Sequence, residues 1–559
     1  MKYTLLMTLL APALLAGCNL EKKEEPFQAR HIRAGYDAGQ VCQQLRQGWL
    51  EDGIAIPASQ VSCHYLTVPL DYDKEWVQIK ETKWEKRSAA RADSSLFADN
   101  SPRFPSWSDK PVRPHVKQET RTVKGDTLDV FYLHYRASGD YRGTLFYNPG
   151  GPTSATPDLG LLLDMLRSAN PAILEHYDIV TLDPRGAGYS ALGHELRSCL
   201  LTDKQGVRPD MSPAQLAQLF ASRDKGALPA LQSGADQGKA FSTTLLARCD
   251  EPLRLHAPHL GSRAVVEDME RLRQHLGRER ITPITFSYGT RLAALYAARY
   301  PSHVANLVVD SPMSPAESRY PAIFRGDAEN ANRILAWRFG DQALQRSMAV
   351  TRQVRDDGRY VDNQGNVLDR ASWVAVLGDA ISGSQRDDQL AFWQQDDAGP
   401  LLARLAGQDD DNPYQELQEM PFFSAIHCTD NSEPYNWQTL DPEDAAFQGA
   451  GALLLAKSFN TCADWPYPRQ PIASYGAGEI KLPDDARALV LGAEYDPNTP
   501  FAGARQMQAA FGSAARLVQV EQSNQHGQLN SSRCAQAALS TLLLGDAASL
   551  PAEQRCLAD

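Results

Sequence analysis

Residues 281–289 read Ile-Thr-Pro-Ile-Thr-Phe-Ser-Tyr-Gly, and a run rich in Ala, Leu and Tyr continues to Tyr300. The first six residues are mostly apolar or β-branched, which predicts a short buried strand, and the run after Gly289 predicts a helix. A serine at a tight strand-to-helix turn is exposed above the sheet, and the following backbone N–H is free to bind an oxyanion. The stretch therefore predicts a nucleophile elbow, with Ser287 as nucleophile and Tyr288 as one oxyanion donor.

The pattern around the serine departs from the usual Gly-x-Ser-x-Gly, because Thr285 stands at its first position. That position lies close to the helix, so we expect a crowded fit for the threonine side chain. A bare Ser-x-Gly also occurs in ordinary turns. The flanking strand and helix are what favour the catalytic interpretation.

Short apolar runs that end in turn residues recur along the chain, as expected for buried parallel strands. They occupy residues 144–147, 178–182, 306–309, 488–492 and 515–520. Helical spacing of apolar residues lies between them, for example at Val265, Met269, Leu272 and Leu276. This alternation predicts an α/β fold with a mostly parallel sheet and right-handed crossovers.

The alternation stops over residues 315–480, where helical pieces, acidic loops and aromatic residues prevail. We interpret this segment as a large, mainly helical cap inserted into one domain made of residues 41–314 and 481–559. Residues 73–125 are rich in Trp, Lys, Arg, Pro and Ser and are expected to form an irregular insertion without an assigned role. The length of 559 residues alone would have suggested three or four domains.

Asp496 and His526 each follow a predicted strand after the serine. In a nucleophile-elbow enzyme the acid and then the base follow the nucleophile along the chain. His526 would accept the Ser287 proton and return it to the leaving group, while Asp496 holds the imidazole tautomer. Asp310 also follows a strand and is the rival acid. The alternatives are a turn-capping aspartate at Asp496 and a surface histidine at His526.

A second oxyanion donor is expected from residues 149–152, Pro-Gly-Gly-Pro, which follow the strand at 144–147. Glycines let the backbone approach a substrate closely. Pro152 has no N–H, so Gly151 is the expected donor. An ordinary Gly-Pro turn is the alternative.

The first 17 residues contain one early Lys, a short apolar run and small residues directly before Cys18. This is typical of a secretory signal and too short for a membrane span. Small residues before a cysteine resemble a bacterial lipoprotein signal, so we expect residues 1–17 to be removed, Cys18 to be lipidated and residues 18–40 to form a tether. The protein would be exported and lipid-anchored to the bacterial cell envelope, on its periplasmic or surface face. An ordinary signal peptide is the alternative.

Eight further cysteines remain, an even number that fits four disulfides in an exported protein. They allow 105 connectivities. Pairing neighbours in sequence closes short local loops and predicts Cys42–Cys63, Cys199–Cys249, Cys428–Cys462 and Cys534–Cys556, with some free buried thiols as the alternative.

Metal and nucleic-acid partners are not expected. No cysteine pair has the C-x-x-C spacing of a zinc site, so neither a metal nor another cofactor is predicted. The net charge is −12 and no cluster of five or more Lys and Arg occurs, which argues against a nucleic-acid partner.

Several motifs taken together resemble the α/β-hydrolases of the tripeptidyl/prolyl aminopeptidase family. They are residues 148–152, 183–190, 287–289 and 496–500, together with 68–72, 425–430 and 462–466. The resemblance covers most of residues 60–535 outside the 73–125 insertion. Thr153 and Gln525 stand where the family usually has glycine, and both departures concern the substrate pocket.

The resemblance implies an α/β-hydrolase fold and a serine exopeptidase that acts on free N-termini of peptides. A cationic amine calls for a carboxylate in the cap, and Asp430 and Glu433 are the candidates, with solvated loop acids as the alternative. Two other functions stay open, namely an esterase with the same triad and a non-catalytic, peptide-binding surface lipoprotein. The sequence does not predict the oligomeric state.

Overall fold

The computed structural model describes residues 28–84, 116–199, 231–383, 387–406, 413–432, 444–457, 462 and 464–559. The chain divides into two compact units, one of Met1–Arg30 with Lys74–Gly125 and the other of His31–Asp73 with Asp126–Asp559. The expected signal peptide, the lipidation site Cys18 and the candidate Glu433 lie outside the described residues.

The strands are named here in chain order. They are β1 (His31–Ile32), β2 (Val61–Pro69), β3 (Trp76–Trp84), β4 (Val116–Lys124), β5 (Thr127–Tyr135), β6 (Gly143–Asn148), β7 (Tyr177–Leu182), β8 (Thr282–Phe286), β9 (Leu307–Asp310), β10 (Arg359–Val361), β11 (Val367–Asp369), β12 (Ala488–Ala493), β13 (Ala515–Glu521) and β14 (Glu553–Leu557).

The helices are named in the same way. They are α1 (Ala38–Glu51), α2 (Leu159–Ala169), α3 (Ala172–His176), α4 (Gly193–Ser198), α5 (Leu231–His256), α6 (Ser262–His275), α7 (Gly289–Arg299), α8 (Tyr320–Phe339), α9 (Asp341–Asp357), α10 (Arg370–Ser382), α11 (Asp387–Leu390), α12 (Gly399–Ala406), α13 (Pro413–Asp430), α14 (Ala452–Lys457), α15 (Phe501–Phe511) and α16 (Arg533–Leu544).

Ten strands of the larger unit form one sheet in the order β1-β5-β7-β6-β8-β9-β12-β13-β14, with β2 paired to β5. Strand β5 runs antiparallel to β2 and β7, whereas every neighbouring pair from β7 to β14 is parallel. This confirms the predicted α/β class with a mostly parallel sheet. The carboxyl ends of β6, β8, β9, β12 and β13 therefore meet at one edge, where ligands bind in such folds.

Both faces of the sheet are buried, which explains the continuous apolar runs. On β12, Leu489 and Leu491 pack into one hydrophobic core, and Ala488 and Val490 pack into the other. Helices α1, α2 and α16 contribute to the first core, and α6, α7 and α15 to the second.

A mainly helical segment, α8 to α14, lies between β9 and β12 and has a core of its own. Its largest members are aromatic and include Trp373, Phe392 and Trp393. This segment is the part of the chain for which the sequence predicted a mainly helical cap. A short antiparallel hairpin, β10–β11, is the described β-structure within it.

The smaller unit contains an antiparallel hairpin in which Trp76 pairs with Lys124 and Trp84 with Val116. The expectation of a wholly irregular insertion at 73–125 is therefore wrong for these two strands. Their many charged residues hid the β-pattern, because strand propensity is read most easily where one face is apolar. The Lys124 ammonium lies over the Trp76 ring, 5.7 Å from its centroid.

Four disulfides join the cysteine pairs that the sequence predicted: Cys42–Cys63, Cys199–Cys249, Cys428–Cys462 and Cys534–Cys556. Four such bridges are typical of an extracellular or exported protein. Among the helices that the structure describes, none has the length and apolar character needed to cross a membrane.

A buried ion pair ties the turn after β7 to α6. The Arg185 guanidinium and the Asp268 carboxylate are both fully buried, with Nε 2.7 Å from Oδ2. Arg185 also donates to the carbonyl oxygens of Pro69 and Leu70, and the Tyr72 hydroxyl donates to Asp268. The two charges are thus satisfied by each other and by polar neighbours.

We predict that Asp268→Asn lowers the free energy of unfolding by about 3–5 kcal/mol, because it leaves Arg185 as a buried, uncompensated charge. Urea unfolding followed by circular dichroism measures this. The matched control is Asp485→Asn, which breaks an exposed pair with Arg280 and should cost less than about 1 kcal/mol. Equal losses in the two variants would contradict the assignment.

Candidate active site

Ser287 occupies the tight turn between β8 and α7, with a backbone φ of 50°. This left-handed conformation is unusual for a residue other than glycine and is typical of strained functional turns. The Ser287 N–H donates to the Asp310 carbonyl at 3.1 Å, and its own carbonyl accepts the Thr290 hydroxyl at 2.6 Å. The turn is thus held on both sides, as a nucleophile elbow requires.

The residues beside the serine explain how the departure from the usual pattern is accommodated. Thr285 is fully buried, and its hydroxyl donates to the Val308 carbonyl of the neighbouring strand at 3.2 Å. Gly289 is sterically required, because a Cβ there would lie 2.4 Å from Asn148 Oδ1. A threonine therefore fits at the first position, whereas only glycine fits at the last.

The loop after β6 packs directly against the elbow. A Cβ on Gly150 would lie 2.9 Å from the Ser287 Cβ and 2.7 Å from the Phe286 carbonyl oxygen. The Gly150 N–H donates to Asn148 Oδ1, and the Thr153 N–H closes the loop by donating to the Gly150 carbonyl. Within the described residues, the N–H groups of Gly151 and Tyr288 donate to no acceptor. Both are available for an oxyanion.

The structure brings Asp496 and His526 together. His526 Nδ1 lies 2.9 Å from Asp496 Oδ2 and 3.0 Å from Oδ1. Asp496 is buried, and its carboxylate also accepts the N–H groups of Asn498 and Thr499 and the Thr499 hydroxyl. The pairing occupies Nδ1, so Nε2 is the imidazole nitrogen that is left for a serine hydroxyl.

The pKa of His526 is set by opposing effects. Burial disfavours the charged imidazolium, but the hydrogen bond to Asp496 and the negative charges of Asp496 and Asp310 favour it more. The pKa of His526 is therefore raised above the usual histidine value. This environment stabilises the imidazolium that forms when the histidine accepts a proton.

Asp310, the rival acid, binds the backbone of the histidine loop. Its carboxylate accepts the N–H groups of Gln528 at 2.8 Å and Leu529 at 2.9 Å, and the Ser311 hydroxyl accepts the Gly527 N–H at 2.8 Å. Burial raises the pKa of Asp310 to about 6. Its position supports the loop that carries His526, whereas Asp496 contacts the imidazole itself.

The first cap helix contributes residues that the sequence analysis missed. Asn330 Nδ2 donates to the Asp496 carbonyl at 2.7 Å, and Arg333 donates to the Glu494 carbonyl at 2.6 Å. Trp337 stacks on Tyr495 with ring centroids 4.2 Å apart. These residues bind backbone oxygens and a ring, for which no sequence pattern exists.

Asp430 lies in the cap segment, but its carboxylate is already bound. It ends α13, is only 4% exposed, and its carboxylate accepts both the N–H and the hydroxyl of Ser262. The expectation that it binds a substrate amine is therefore wrong, because both carboxylate oxygens are buried and bound by Ser262 at the start of α6. It is not a solvated loop acid either.

A cavity of about 330 Å³ opens beside the acid loop. The residues that line it include Met313, Glu317, Ile323, Asp327, Asn498 and Thr499. Glu317 is paired with Arg319 at 2.9 Å, whereas Asp327 has no hydrogen bond or ion pair with any described residue. Burial and the charge of Asp496 raise the pKa of Asp327 to about 7. The cavity thus holds one unpaired acidic group next to the loop that carries Asp496.

No group of three or more His, Cys, Asp and Glu side chains that could hold a metal occurs in the described part of the chain. The chemistry that these residues can perform is acyl transfer, since a serine, a histidine paired to a carboxylate and two free N–H groups lie on loops at the same edge of the sheet.

Three relatives illustrate the similarity to known proteins. The chain is 25% identical over 422 residues to a tripeptidyl aminopeptidase of Streptomyces coelicolor, covering 69% of this chain and 71% of the relative. It is 24% identical over 416 residues to the serine protease Hip1 of Mycobacterium tuberculosis, covering 67% and 74%. It is 26% identical over 474 residues to a carboxylesterase B of the same organism, covering 77% and 83%.

The sequence profile of the α/β hydrolase fold matches residues 143–531, which span the elbow, the acid loop, the histidine loop and the inserted cap. Its bounds run from the start of β6 to the turn before α16. Together with the parallel sheet and the order of serine, aspartate and histidine, the match shows that this chain belongs to the α/β-hydrolase family.

Proposed function

We propose that this protein is an exported serine hydrolase that releases short peptides or residues from free N-termini of peptides through an acyl-enzyme on Ser287. The contact between His526 Nδ1 and Asp496 carries the proposal, together with the left-handed backbone of Ser287 in its turn. The relatives named tripeptidyl aminopeptidase and serine protease support a peptide substrate.

In this mechanism the Ser287 hydroxyl attacks the scissile carbonyl carbon, and His526 Nε2 takes its proton. The N–H groups of Gly151 and Tyr288 hold the resulting oxyanion. Collapse of the tetrahedral intermediate breaks the C–N bond, and His526 gives the proton to the leaving amine. Water then attacks the acyl-enzyme by the same proton path and frees the N-terminal product.

The amine of the substrate needs a carboxylate, and Asp327 fits this role better than Asp430. It lines the same cavity as Asn498 and Thr499, which belong to the loop that carries Asp496. It has no cationic partner among the described residues. An ammonium group in this cavity would form a charge-assisted hydrogen bond with Asp327. This bond would offset the free-energy cost of burying the Asp327 carboxylate in its charged form.

A labelling experiment tests Ser287 as the nucleophile. A fluorophosphonate probe should label the wild-type protein and not Ser287→Ala, whose turnover of tripeptide amides should fall by about 10³-fold or more. The matched control is Ser318→Ala, which removes an exposed hydroxyl 3.1 Å from that of Ser474 and should still be labelled. Failure of the wild-type protein to react with the probe would contradict serine catalysis and leave the peptide-binding lipoprotein.

A substrate panel decides between a peptidase and an esterase. Tripeptide amides with a free amine should be cleaved, and their N-acetylated counterparts should not. The carboxylesterase relative makes the ester the relevant competitor. Turnover of p-nitrophenyl esters without any cleavage of free-amine peptides would establish the esterase instead.

The next prediction concerns Asp327. For free-amine peptides KM should fall as the pH rises through about 7, where Asp327 loses its proton, and rise again above about 8, where the α-amine loses its own. Asp327→Asn should raise KM by about tenfold, because a charge-assisted hydrogen bond is lost, and should remove the change near pH 7. Glu317→Gln is the control, since Arg319 already neutralises that carboxylate. An unchanged KM in Asp327→Asn would remove this residue from the amine site.

The membrane anchor at Cys18 remains a proposal that rests on the sequence alone. Cys18→Ser should move the protein from the membrane fraction to the soluble fraction and abolish incorporation of labelled palmitate, because the acyl chains provide the attachment. Retention of the variant in the membrane fraction would contradict lipid anchoring.

A further inference from the structure

Three buried side chains connect the residue after the nucleophile to the cap. The Tyr288 hydroxyl lies 2.5 Å from the Ser262 hydroxyl, and the Ser262 hydroxyl binds Asp430 Oδ2. The Ser262 N–H donates to Asp430 Oδ1 at 2.8 Å. These residues come from α7's N-cap, the start of α6 and the end of α13, and all three are at most 4% exposed. We call them the Tyr288–Ser262–Asp430 chain.

The directions of these hydrogen bonds follow from the chemistry of the groups. An ionised carboxylate only accepts, so the Ser262 hydroxyl donates to Asp430 and the Tyr288 hydroxyl donates to Ser262. Burial raises the pKa of Asp430 to about 6, against the opposing effects of the Ser262 hydrogen bonds and the charge of Arg291, so the group is ionised at neutral pH.

Asp430 also completes the N-terminus of α6. That helix begins at Ser262, and its N-cap Gly261 has no side chain to bind the free N–H groups. A carboxylate at this point satisfies one of these donors and is favoured by the helix dipole. Gly261 permits the contact, because a Cβ there would lie 2.8 Å from Asp430 Oδ1. The Tyr288–Ser262–Asp430 chain is thus fixed at Asp430, its end in the cap.

The cap end of the chain is itself anchored. The Asp430 carbonyl accepts the Ile472 N–H at 3.1 Å. Two residues earlier, Cys428 is bridged to Cys462, and Arg469 donates to the carbonyl oxygens of both cysteines. Movement of Asp430 would therefore require movement of a disulfide-linked segment.

We propose that Ser262 and Asp430 are positioning residues that hold the backbone N–H of Tyr288 at the oxyanion, through the Tyr288 hydroxyl. The Tyr288 N–H belongs to the peptide that follows the strained Ser287, and the opposite end of the same residue is fixed by the chain. An oxyanion donor acts only within a narrow range of distances, so a small shift of this peptide weakens transition-state binding. The proposal rests on the serine hydrolase function proposed above.

A purely structural role of the Tyr288–Ser262–Asp430 chain would give different results from a positioning role. Loss of a purely structural contact lowers the free energy of unfolding. It affects binding of the ground state and of the transition state equally. A positioning chain changes binding of the tetrahedral oxyanion more than binding of the ground state, and so lowers kcat while KM stays the same.

The test compares Tyr288→Phe, Ser262→Ala and Asp430→Asn with the matched control Thr429→Val. Thr429 precedes Asp430 and makes its own buried hydrogen bond from the cap, to the Ala257 carbonyl. Each chain variant should lose about tenfold in kcat, with KM within about twofold of wild type. A peptide aldehyde, which forms a tetrahedral adduct with the serine, should bind more weakly by the same factor. Thr429→Val should alter only the unfolding midpoint.

Coupling provides the second measurement. The double variant Tyr288→Phe/Asp430→Asn should lose no more kcat than the larger of the two single losses, because either change breaks the same chain. Additive losses, an unchanged kcat in Tyr288→Phe, or an equal loss in Thr429→Val would overturn the proposal. If Asp430→Asn does not fold, Tyr288→Phe decides, since it removes one oxygen and leaves the Ser262–Asp430 contact intact. A wild-type protein without probe labelling or turnover would instead contradict the serine hydrolase function itself.

Discussion

Asp310 is the residue on which the geometry of the site depends most directly. It ends β9, which lies between the strands that precede the nucleophile and the acid. Its backbone carbonyl and its side-chain carboxylate bind two different segments. Its carbonyl accepts the Ser287 N–H, while its carboxylate accepts the N–H groups of Gln528 and Leu529. One buried residue thereby sets the elbow and the histidine loop relative to each other. A parallel sheet makes this possible, because the ends of neighbouring strands meet at the same edge.

The inserted cap segment takes part in the construction of the site. Helix α8 binds the acid loop through Asn330 and Arg333, and α13 binds Ser262, the hydrogen-bond partner of Tyr288, through Asp430. Two parts of the proposed machinery, the acid and an oxyanion donor, are therefore supported by residues of the inserted segment. In such an arrangement, changes in the cap affect the chemical step as well as substrate access.

Specificity has to come from a different source than the triad. A serine, histidine and aspartate with two N–H donors serve peptides and esters equally well. What differs is the charge of the substrate beside the scissile bond. The unpaired carboxylate of Asp327 would favour a cationic amine, and an uncharged ester would gain nothing from it.

The sequence by itself determined those features that depend on residues close together in the chain. Alternating strands and helices predicted the sheet, the strand–Ser–Tyr–Gly–helix pattern predicted the elbow, and local pairing predicted the four disulfides. Chain order also predicted the contact of Asp496 with His526, because both follow parallel strands.

Only the tertiary structure decided the roles of the remaining polar residues. Asp310, Asp327 and Asp430 are indistinguishable as types, yet one binds a loop backbone, one lines a cavity and one caps a distant helix. The sequence predicted the place of Asp430 in the cap but not its contact with Ser262. Which partner a carboxylate meets is set by packing between elements up to 219 residues apart, and no local pattern records that contact.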